Sequence, residues 1–580
     1  MRRLGHLPVC LACLLAVGAA NAAELAPLQV TGLAPELEAN VLARTSLQNM
    51  TPAQRLQVSE QRLAYLLRIT PGEVRESLEP FGYYDAEVEL DVARSGDRVT
   101  VVARVSPGTP VRVRRLDVAM EGPAREDPTV FSRVRSFQPR PGEVLDHVAY
   151  EDSKAAIASR LAEHGYFDAE LLQHRVEVTR AEHAADIALG WRSGARYRLG
   201  AVRFEGQPLH AGVLDPLVPW TRGEPYDRAR LLALQQSLAD TDYFSGISLQ
   251  PQPEAAVDGE VPVQVTLVPA KRSVSRAGLR YGSDTGAGVT GRLERRYLNR
   301  RGHKLLLDLA LAQRERSLLT QYRIPAFEWL DGWYAFTLDL REEDIEELRS
   351  QTVTLSATRS GRWRDWELLA GLNARRERFD EFDLQGSDYA TLVYPSLWGR
   401  WKQGDDPNTP NHGRALTIEL RGGSRNAGSS VGFLQARVQG DWIRSFGERN
   451  RLLLRGEIGA TASPDFEDFP PSMRFYAGGD RSVRGYGYKA IGPDRDGRVF
   501  GGRYLAVASV EYERMFTPEW GAAVFVDAGD AFDEAFDAQV GVGAGMRWRS
   551  PIGPVRVDLA HGLGEDGDSV RLHVRIGPDL

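Results

Sequence analysis

Residues 475–486 read Phe-Tyr-Ala-Gly-Gly-Asp-Arg-Ser-Val-Arg-Gly-Tyr, and a glycine-rich continuation follows to Gly502. This stretch interrupts a series of alternating segments with a gap of about forty residues, which is too long for an ordinary hairpin turn. One interpretation is a surface loop whose glycines serve turns and whose arginines, Arg481 and Arg484, face water. The other is a loop, residues 475–502, that folds into a protein-lined cavity.

Arg484 would anchor such an inward-folded loop. Its guanidinium is permanently charged and directs several donors in a fork, so inside a cavity it needs a carboxylate partner. The segment 524–529 reads Val-Phe-Val-Asp-Ala-Gly, in which Asp527 interrupts an apolar strand. We therefore predict that Arg484 pairs with Asp527, directly or through its neighbours.

The sequence around this loop, from about Ser273 to Leu580, alternates apolar and polar residues over long segments. About sixteen such segments occur, many with ten or more residues, whereas strands of soluble proteins average about five or six. Strands that cross a membrane need roughly nine to eleven residues, with apolar side chains toward lipid and polar ones toward the lumen. We therefore predict a transmembrane antiparallel β-barrel of about 16 strands over residues 273–580. Alternation alone also fits a soluble sandwich.

The region before the predicted barrel contains a repeat of about eighty residues. Phe-Gly-Tyr-Tyr-Asp-Ala-Glu at 81–87 recurs as His-Gly-Tyr-Phe-Asp-Ala-Glu at 164–170 and, weakened, as Thr-Asp-Tyr-Phe-Ser-Gly-Ile at 241–247. Each repeat opens with a strand that ends in glycine, continues through helical patterns and closes with alternating strands. The predicted unit is strand, helix, helix, strand, strand. Three α+β domains result, which we assign to residues 24–109, 110–195 and 196–270.

The first tyrosine of each aromatic pair is predicted to pack a helix end onto the sheet of its own repeat. Aromatic side chains bury a large apolar area, so a position in the core is the simplest interpretation. These residues are Tyr83, Tyr166 and Tyr243.

The chain begins with a predicted export signal. Two arginines, Arg2 and Arg3, precede an apolar run at 7–20, and Ala-Asn-Ala at 20–22 supplies the small residues that a signal peptidase needs. We therefore predict a signal peptide at residues 1–22. A lipoprotein signal on Cys13 is the alternative, but the residues before this cysteine fit a lipobox poorly.

The composition argues against several classes of function. Both cysteines, Cys10 and Cys13, lie in the predicted signal, so the mature chain is expected to have no thiol chemistry. The formal net charge is −7, and loss of the signal lowers it further, which argues against a nucleic-acid partner. No later segment has roughly eighteen uninterrupted apolar residues, so a membrane role requires a barrel.

No catalytic, cofactor or metal site is predicted. The spacing of His164, His174 and His183 matches neither face of a helix nor face of a strand, so it does not indicate metal ligands. The glycines at 541, 543 and 545 lack the dinucleotide-binding fingerprint, and in a membrane strand they would thin the barrel wall. The chain is therefore predicted not to be an enzyme.

Two motifs, at 483–486 and 525–529, carry a resemblance to a known family. They resemble the signature of the bacterial outer-membrane assembly-factor superfamily, which includes BamA, TamA and the two-partner secretion transporters. The resemblance assigns residues of the loop anchor, which are Val483, Arg484, Gly485, Tyr486 and Asp527. It also assigns residues of a barrel motif, which are Phe525 and Gly529.

The three repeats resemble POTRA domains, the periplasmic modules of the same superfamily. Their number matches the TamA subfamily, since BamA-like members carry more repeats and two-partner secretion transporters carry fewer. The closing segment 543–558 also looks like the C-terminal region of the family. The chain departs from many barrel proteins because it ends in Ile-Gly-Pro-Asp-Leu and not in an aromatic residue.

The resemblance implies a location in the outer membrane, with the repeats in the periplasm. It implies a factor that helps to insert and fold selected outer-membrane proteins, such as autotransporters. Its partners would be an inner-membrane-anchored TamB-like protein, unfolded client proteins and outer-membrane lipids. The alternative is a two-partner-type secretion pore for a dedicated client protein.

The first and last strands of the barrel are predicted to meet at a weak lateral seam. Proline gives no backbone donor and glycine packs nothing, so Gly278 and the terminal Gly-Pro at 577–578 limit pairing there. A weakly paired edge is a template for strand addition, whereas an ordinary closing pair is the alternative. The predicted seam residues are Val274, Gly278, Tyr281, Val570, Leu572, Val574 and Ile576.

Overall fold

The computed structural model describes residues 23–282, 285–328, 332–345, 348–380, 388–406, 409–495, 497–550, 553–564 and 570–576. The predicted signal peptide, residues 1–22, lies outside the described residues. Within these ranges, every helix falls short of the length and apolarity that crossing a bilayer requires. The chain forms two compact units, of which the first contains Met1–Ala201, Trp220–Leu231 and Pro251–Val263. The second contains Val202–Pro219, Leu232–Gln250 and Gln264–Leu580.

The first repeat folds as a four-stranded sheet with helices packed against it. Its elements are β1 (Glu24–Leu25), β2 (Gln29–Thr31), α1 (Pro35–Arg44), α2 (Pro52–Arg55), α3 (Glu60–Leu78), β3 (Glu87–Ser95) and β4 (Arg98–Ser106). Strand β4 pairs antiparallel with β3 and parallel with β1 and β2. Alternate residues of β4, from Val99 to Val105, are buried together with Leu63 and Leu66 of α3, so one face of the sheet forms the core.

The second repeat has both predicted helices. Its elements are β5 (Arg112–Glu121), α4 (Pro128–Arg135), α5 (His147–Glu163), β6 (Glu170–Thr179) and β7 (Ala184–Arg192). The sheet order is β5-β7-β6. Each helix begins after an aspartate, Asp127 or Asp146, whose side chain accepts from backbone N–H groups of the first turn.

The third repeat has a sheet in the order β8-β10-β9 and a single α-helix. Its elements are β8 (Arg198–Glu205), α6 (Arg228–Asp240), β9 (Phe244–Pro251) and β10 (Glu260–Pro269). The prediction of two helices is wrong for this repeat, because only a 3₁₀ turn, Asp215–Leu217, lies between β8 and α6. Prolines at 208, 216 and 219 explain the difference, since proline removes a backbone donor and clashes with the preceding turn.

Sixteen antiparallel strands follow in one sheet, arranged in sequence order. They are β11 (Ser273–Gly282), β12 (Gly286–Arg295), β13 (Lys304–Ala312), β14 (Glu315–Ala326), β15 (Gly332–Ile345), β16 (Leu348–Trp363), β17 (Trp366–Asp380), β18 (Asp388–Gly404), β19 (His412–Gly423), β20 (Phe433–Phe446), β21 (Asn450–Ala462), β24 (Tyr504–Met515), β25 (Trp520–Phe532), β26 (Gln539–Ser550), β27 (Gly553–Gly562) and β28 (Arg571–Ile576). The short strands β22 (Asp494–Arg495) and β23 (Arg498–Val499) pair with each other between β21 and β24. The strand count agrees with the prediction.

The two faces of this sheet differ in polarity. One face exposes apolar side chains at alternate positions, such as Leu372, Leu397 and Leu434. The other buries charged side chains, such as Glu511 and Asp527. A soluble sandwich would bury its apolar face, so the exposed apolar face indicates contact with lipid.

Strands β11 and β28 stand at the two ends of the sheet order. Strand β11 has 10 residues and pairs with β12, whereas β28 has 6 residues and pairs with β27. Within the described parts of these two strands, no backbone ladder joins them. Their Cα atoms nevertheless approach within 8 Å, so two sheet edges lie beside each other.

Candidate functional site

The long segment between β21 and β24 folds as an ordered loop. Backbone hydrogen bonds join Phe475 to Gly502, at 3.1 and 2.8 Å, and Ala477 to Ile491, at 2.9 and 3.0 Å. These hydrogen bonds join the two halves of the loop. The residues between them are therefore held in a fixed position relative to the sheet.

The loop contacts the charged face of the sheet at strands that are far apart in its order. Lys489 Nζ donates to Glu343 of β15 at 3.1 Å, and Tyr486 Oη donates to Gln539 of β26 at 3.3 Å. Lys489 and Tyr486 are three residues apart, a span of about 10 Å. The nine strand spacings from β15 to β26 would cover about 43 Å in a flat sheet, beyond the reach of these side chains. The sheet therefore curves around the loop, which lies inside it.

Arg484 lies in this interior and is 5% exposed. Its backbone N–H and its Nε donate to Asp527 Oδ2 at 3.1 and 2.7 Å, and Nη2 donates to Asp527 Oδ1 at 3.0 Å. Its Nη1 donates to Glu511 Oε2 at 2.7 Å and to Asp558 Oδ2 at 2.9 Å. The two residues that the sequence paired, Arg484 and Asp527, are thus in direct contact, and two further carboxylates share the guanidinium.

Of the two barrel-motif residues, Phe525 packs against Arg484, and Gly529 lies against the neighbouring strand β24. The guanidinium carbon of Arg484 lies 3.3 Å from the ring centroid of Phe525, where the electron-rich face of the ring attracts a cation. A Cβ at Gly543 would lie 2.4 Å from this ring, and a Cβ at Gly529 would lie 2.7 Å from the carbonyl oxygen of Ala506. Both glycines therefore provide room that no other residue would leave.

Two other glycines allow the loop backbone to approach the sheet. A Cβ at Gly541 would lie 1.8 Å from the carbonyl oxygen of Arg484. Gly485 has φ of +97°, a conformation that favours glycine, and a Cβ there would lie 2.6 Å from the backbone nitrogen of Gly562. The preceding residue, Val483, is fully buried. The loop motif is thus fitted to the sheet through its backbone as well as through its charge.

Arg484 belongs to a buried network in which opposite charges balance. Arg547 contacts Glu511, Glu513 and Asp558 at hydrogen-bond distance, and Arg451 contacts Glu513 at 2.9 Å. The network contains carboxylates and guanidiniums that are each less than 10% exposed, namely Glu511, Glu513, Asp527, Asp558, Arg451, Arg484, Arg547 and Arg556. Removing one member leaves an opposite charge buried without its partner, which is costly.

The loop also contacts the last strand of the sheet. The N–H of Gly485 donates to His573 Nε2 at 3.1 Å, and His573 Nδ1 lies 2.6 Å from Asp480 Oδ1. Because Nε2 accepts, the ring proton lies on Nδ1 and is donated to Asp480. The hydroxyl of Tyr486 accepts from the N–H of Gly564 at 2.9 Å. The His573 contacts hold the loop against β28 at the edge of the sheet, and the Tyr486 contact holds it against a residue that follows β27.

A second attachment of the loop lies on β17. The fully buried carboxylate of Glu377 accepts from Ser350 Oγ at 2.9 Å and from the N–H and the hydroxyl of Ser472. In addition, Gln435 Nε2 donates to the carbonyl oxygen of Met473 at 2.9 Å. The start of the loop is therefore fixed to β17 and β20, which precede the strands of the Arg484 network in the sheet order.

Sequence reasoning identified Arg484 and Asp527 but missed Glu511, Asp558 and His573. The sequence did contain a signal for Glu511. This residue alternates along β24 with the apolar residues that face lipid, so its side chain must face the interior. Asp558 and His573 likewise occupy interior-facing positions of their strands. The sequence alone did not indicate which of the interior charges meet the loop.

The predicted seam residues occupy the two edge strands. Val274, Gly278 and Tyr281 lie in β11, opposite residues of β12. Leu572, Val574 and Ile576 lie in β28, opposite residues of β27, and Val570 immediately precedes that strand. The structure brings neither set into a ladder with the other within the described ranges.

The second aromatic residue of the repeated motif contacts the next module along the chain. Tyr84 Oη lies 2.7 Å from His147 Nε2 of α5, and the ring of Phe167 lies 4.8 Å from the ring of Tyr226. Burial raises the pKa of Tyr226 to about 12. Tyr166, in contrast, is buried in its own repeat, as predicted. The motif therefore serves both the core of its repeat and the joint that follows.

The prediction of a core position within its own repeat is incomplete for Tyr243. Its hydroxyl donates to the carbonyl oxygen of Gly302, in the turn between β12 and β13, and its ring packs 6.1 Å from that of Trp333. Lys304 Nζ donates to the carbonyl oxygen of Thr241 and lies 4.9 Å from the ring centroid of Trp333. The third aromatic element is thus attached to the first strands of the large sheet.

The described residues include no group of three or more histidine, cysteine, aspartate or glutamate side chains arranged to hold a metal ion. The interior network consists of mutually neutralising charges, which suits the anchoring of a loop.

Comparison with known proteins identifies related domains in three parts of the chain. A family described as the Omp85 superfamily domain matches residues 298–579. A family described as POTRA domain TamA domain 1 matches residues 27–107. A POTRA family described as surface antigen variable number repeat matches residues 197–269.

Two curated relatives are both named outer membrane protein assembly factor BamA. The relative from Nitratidesulfovibrio vulgaris is 23% identical over 431 residues, which cover 70% of this chain and 54% of the relative. The relative from Neisseria meningitidis serogroup B is 20% identical over 582 residues, which cover 87% of this chain and 71% of the relative. The chain thus spans about half the length of the first relative.

A solved structure, BamA from Haemophilus ducreyi lacking POTRA domains 1–3, has a similar fold. The TM-score is 0.67 at 15% identity, and the match covers 80% of this chain and 99% of that chain. This likeness confirms the predicted fold class of α+β repeats followed by a transmembrane antiparallel β-barrel. Residues 298–579 therefore carry an Omp85 superfamily domain, and the chain is an outer-membrane β-barrel protein whose N-terminal POTRA domains lie in the periplasm.

Proposed function

We propose that this chain is an outer-membrane assembly factor that helps selected proteins, such as autotransporters, to insert and fold. The observation that carries the proposal is the pair of edge strands, β11 and β28, which share no ladder in their described parts. An edge strand offers unpaired backbone donors and acceptors that a client strand can use as a template. In a bilayer each unpaired backbone N–H or C=O group costs several kcal/mol. Pairing of a client strand with this edge therefore favours insertion of the client without an enzymatic step.

The inward-folded loop favours assembly over passive diffusion. A diffusion channel needs an open lumen, whereas this loop spans the interior from Glu377 of β17 to Asp527 of β25. Its contact with His573 also holds β28 in place from the inside. Support of this kind allows the last strand to keep its position while its outer edge is free for a client.

We also propose an inner-membrane-anchored TamB-like partner that adds a strand to a repeat. The match of the first repeat to a TamA-type POTRA family supports this subfamily role. Strands β3 and β6 lie at sheet edges and have mostly exposed side chains, so both offer a free row of backbone groups. Strand addition would place the partner beside one of them.

Folding of several unrelated clients in vesicles tests the assembly function. The mature protein is inserted into phospholipid vesicles, urea-unfolded barrel proteins are added, and folding is followed by heat-dependent gel mobility. We expect each client to fold several-fold faster than in empty vesicles. Client rates equal to those in empty vesicles would contradict the proposal. Steady conductance, or export of one cognate client only, would favour the two-partner-type secretion pore.

Truncation tests the proposed partner separately. A chain that lacks the mature residues up to Ala195 is expected to insert its barrel, because the sheet that crosses the membrane begins at Ser273. It is expected to lose capture of the TamB-like protein in a pull-down from solubilised envelopes. Full capture by the truncated chain would assign partner recognition to the remaining residues.

A further inference from the structure

Two arginines on the lipid-facing side of the barrel have no carboxylate partner among the residues that the structure describes. Arg414 of β19 and Arg444 of β20 both have exposed side chains. They share a face with the exposed residues Ile418 and Leu434, because positions two apart in a strand point the same way. Within the described part of the chain, no carboxylate lies within the 4.0 Å ion-pair distance of either guanidinium.

The register of β19 and β20 makes these two arginines diagonal neighbours. Arg414 lies directly opposite Trp442, and His412 lies directly opposite Arg444. Diagonal positions of an antiparallel pair are about 7–8 Å apart, so two like charges repel there unless an anion lies between them. Two guanidiniums at this spacing can donate to the oxygens of one phosphate group.

A cavity of about 840 Å³ adjoins the pair. Its lining includes both arginines together with His412, Trp442 and Asp405. Asp405 is the one acidic residue of this lining, and it accepts from the backbone N–H groups of Asn411 and His412 at 2.8 and 3.0 Å. Its carboxylate is therefore engaged by these two backbone N–H groups and forms no ion pair with either arginine.

The cavity lies at the periplasmic end of the barrel. Strand β11 begins at the end that the repeats join, and every second strand of the antiparallel sheet begins there as well. Strand β19 is the ninth strand, so His412 at its start and Arg444 near the end of β20 lie at this end. Phospholipid headgroups of the periplasmic leaflet occupy this level, where tryptophan is also favoured.

The arginine pair is not explained by a general positive charge of the chain. The formal net charge is −7, so an uncompensated pair of arginines does not follow from a general excess of basic residues. Another exposed arginine at the same end, Arg514 of β24, has Asn450 and Ala522 as its directly opposite neighbours. It therefore shares the position at the rim but has no second arginine beside it.

We propose that Arg414 and Arg444, with Trp442, bind the phosphate of an anionic phospholipid in the periplasmic leaflet. The guanidiniums donate to the phosphate oxygens, and the indole packs against the glycerol region of the lipid. This site is distinct from the sheet edge at β11 and β28 and does not depend on the assembly function.

Native mass spectrometry of the folded, purified protein with phosphatidylglycerol or phosphatidylcholine tests the site. We expect the unmodified protein to retain phosphatidylglycerol in preference to phosphatidylcholine. The double variant R414Q/R444Q is expected to bind phosphatidylglycerol about 30-fold more weakly, which corresponds to about 1 kcal/mol for each arginine. The matched control is Arg514→Gln, for which we expect unchanged retention.

A second variant and a competitor complete the experiment. R414K/R444K keeps both charges and is expected to retain most of the phosphatidylglycerol, which separates loss of binding from loss of folding. Equal retention of the two lipids, or unchanged retention by R414Q/R444Q, overturns the proposal. Displacement of the lipid by inorganic phosphate at the same concentration would indicate a free-phosphate site and would overturn it as well.

Discussion

Substitution of Arg484 and substitution of Asp527 would leave different numbers of buried charges without a partner. Loss of Arg484 leaves three carboxylates, Glu511, Asp527 and Asp558, without its guanidinium. Loss of Asp527 leaves Arg484 with the other two carboxylates. A simple pair would make the two substitutions equivalent, whereas this arrangement makes Arg484 the more important residue for the position of the loop.

We predict that Arg484→Ala costs about 3–5 kcal/mol of loop stability and that Asp527→Ala costs less. Both variants are expected to insert but to expose the loop to protease added from outside the cell. The measurement is the cleavage rate of the loop in intact cells. The double variant is expected to lose less than the sum of the single losses, because both substitutions remove the same contact. Additive losses would show that the two side chains act independently.

Gly541→Ala is predicted to displace the loop without any change of charge. The new Cβ would lie 1.8 Å from the carbonyl oxygen of Arg484, so the loop backbone must move, at an expected cost of about 1–3 kcal/mol. Protease accessibility of the loop is again the measurement. Gly440→Ala is the control, because a Cβ there would meet nothing within 4 Å. Equal accessibility of the two variants would contradict the prediction.

At this scale the sequence could predict that Arg484 needs an acidic partner, because a buried guanidinium is rarely left unpaired. It could also indicate Asp527, which stands out in an apolar strand. It could not indicate Glu377, because an isolated glutamate among the charged residues of β17 has no distinguishing pattern. Its importance arises from the approach of Ser472, which only the path of the loop determines.

At the scale of elements, the joints between repeats use the same short motif. Gly82 accepts from the N–H of Val111 at 2.8 Å, and Gly165 accepts from the N–H of Tyr197 at 2.9 Å. The aromatic residue that follows then contacts the next module. The third repeat departs from this pattern. The repeat in the sequence predicted two helices there, but prolines prevent the first of them.

Lys304→Met is predicted to loosen the third repeat from the large sheet. Methionine preserves much of the apolar packing but removes the ammonium that donates to the carbonyl oxygen of Thr241. Spin labels on the third repeat and on a turn of the barrel are expected to give a broader distance distribution. The barrel itself is expected to remain folded. The control is Lys271→Met, at an exposed position. An unchanged distribution in the Lys304 variant would contradict this assignment.

For the whole molecule, a curved sheet with nearly every strand paired predicts resistance to unfolding in mild detergent. We expect the mature protein to fractionate with the outer membrane and to run faster on a gel when unheated than when boiled. The measurement is gel mobility before and after heating. A soluble fraction without heat-dependent mobility would contradict the membrane assignment.

Cross-linking of β11 to β28 is predicted to block client folding. The chain has cysteines only at positions 10 and 13, within the predicted signal, so an introduced pair is expected to be the only reactive pair in the mature protein. One cysteine replaces a residue of β11 and the other a residue of β28, and client folding is measured before and after reduction. The control is a pair across β13 and β14, for example at Leu307 and Thr320. Normal client folding by protein cross-linked at the seam would place the working edge elsewhere.

The large sheet could be predicted from the sequence because alternation over long segments is a property of each strand alone. Glycine and proline near the two end strands predicted a weak seam, but the sequence could not predict that the described parts of β11 and β28 share no ladder at all. That ladder depends on the meeting of two strands separated by most of the chain, and their own alternation resembles that of the other strands.

The location of the partners of Arg484 and Gly485 has a consequence for the order in which the barrel folds. Glu511, Asp527, Asp558 and His573 all belong to strands that follow the loop in the chain, at separations of 27 to 88 residues. Contacts at such separations form at a lower entropic cost than those that join the two ends of the sheet. The C-terminal strands are therefore expected to assemble around the loop early, and β11 to arrive last. The two edges that are proposed to receive clients, those of β11 and β28, are thus also the edges that come together at the final step of folding.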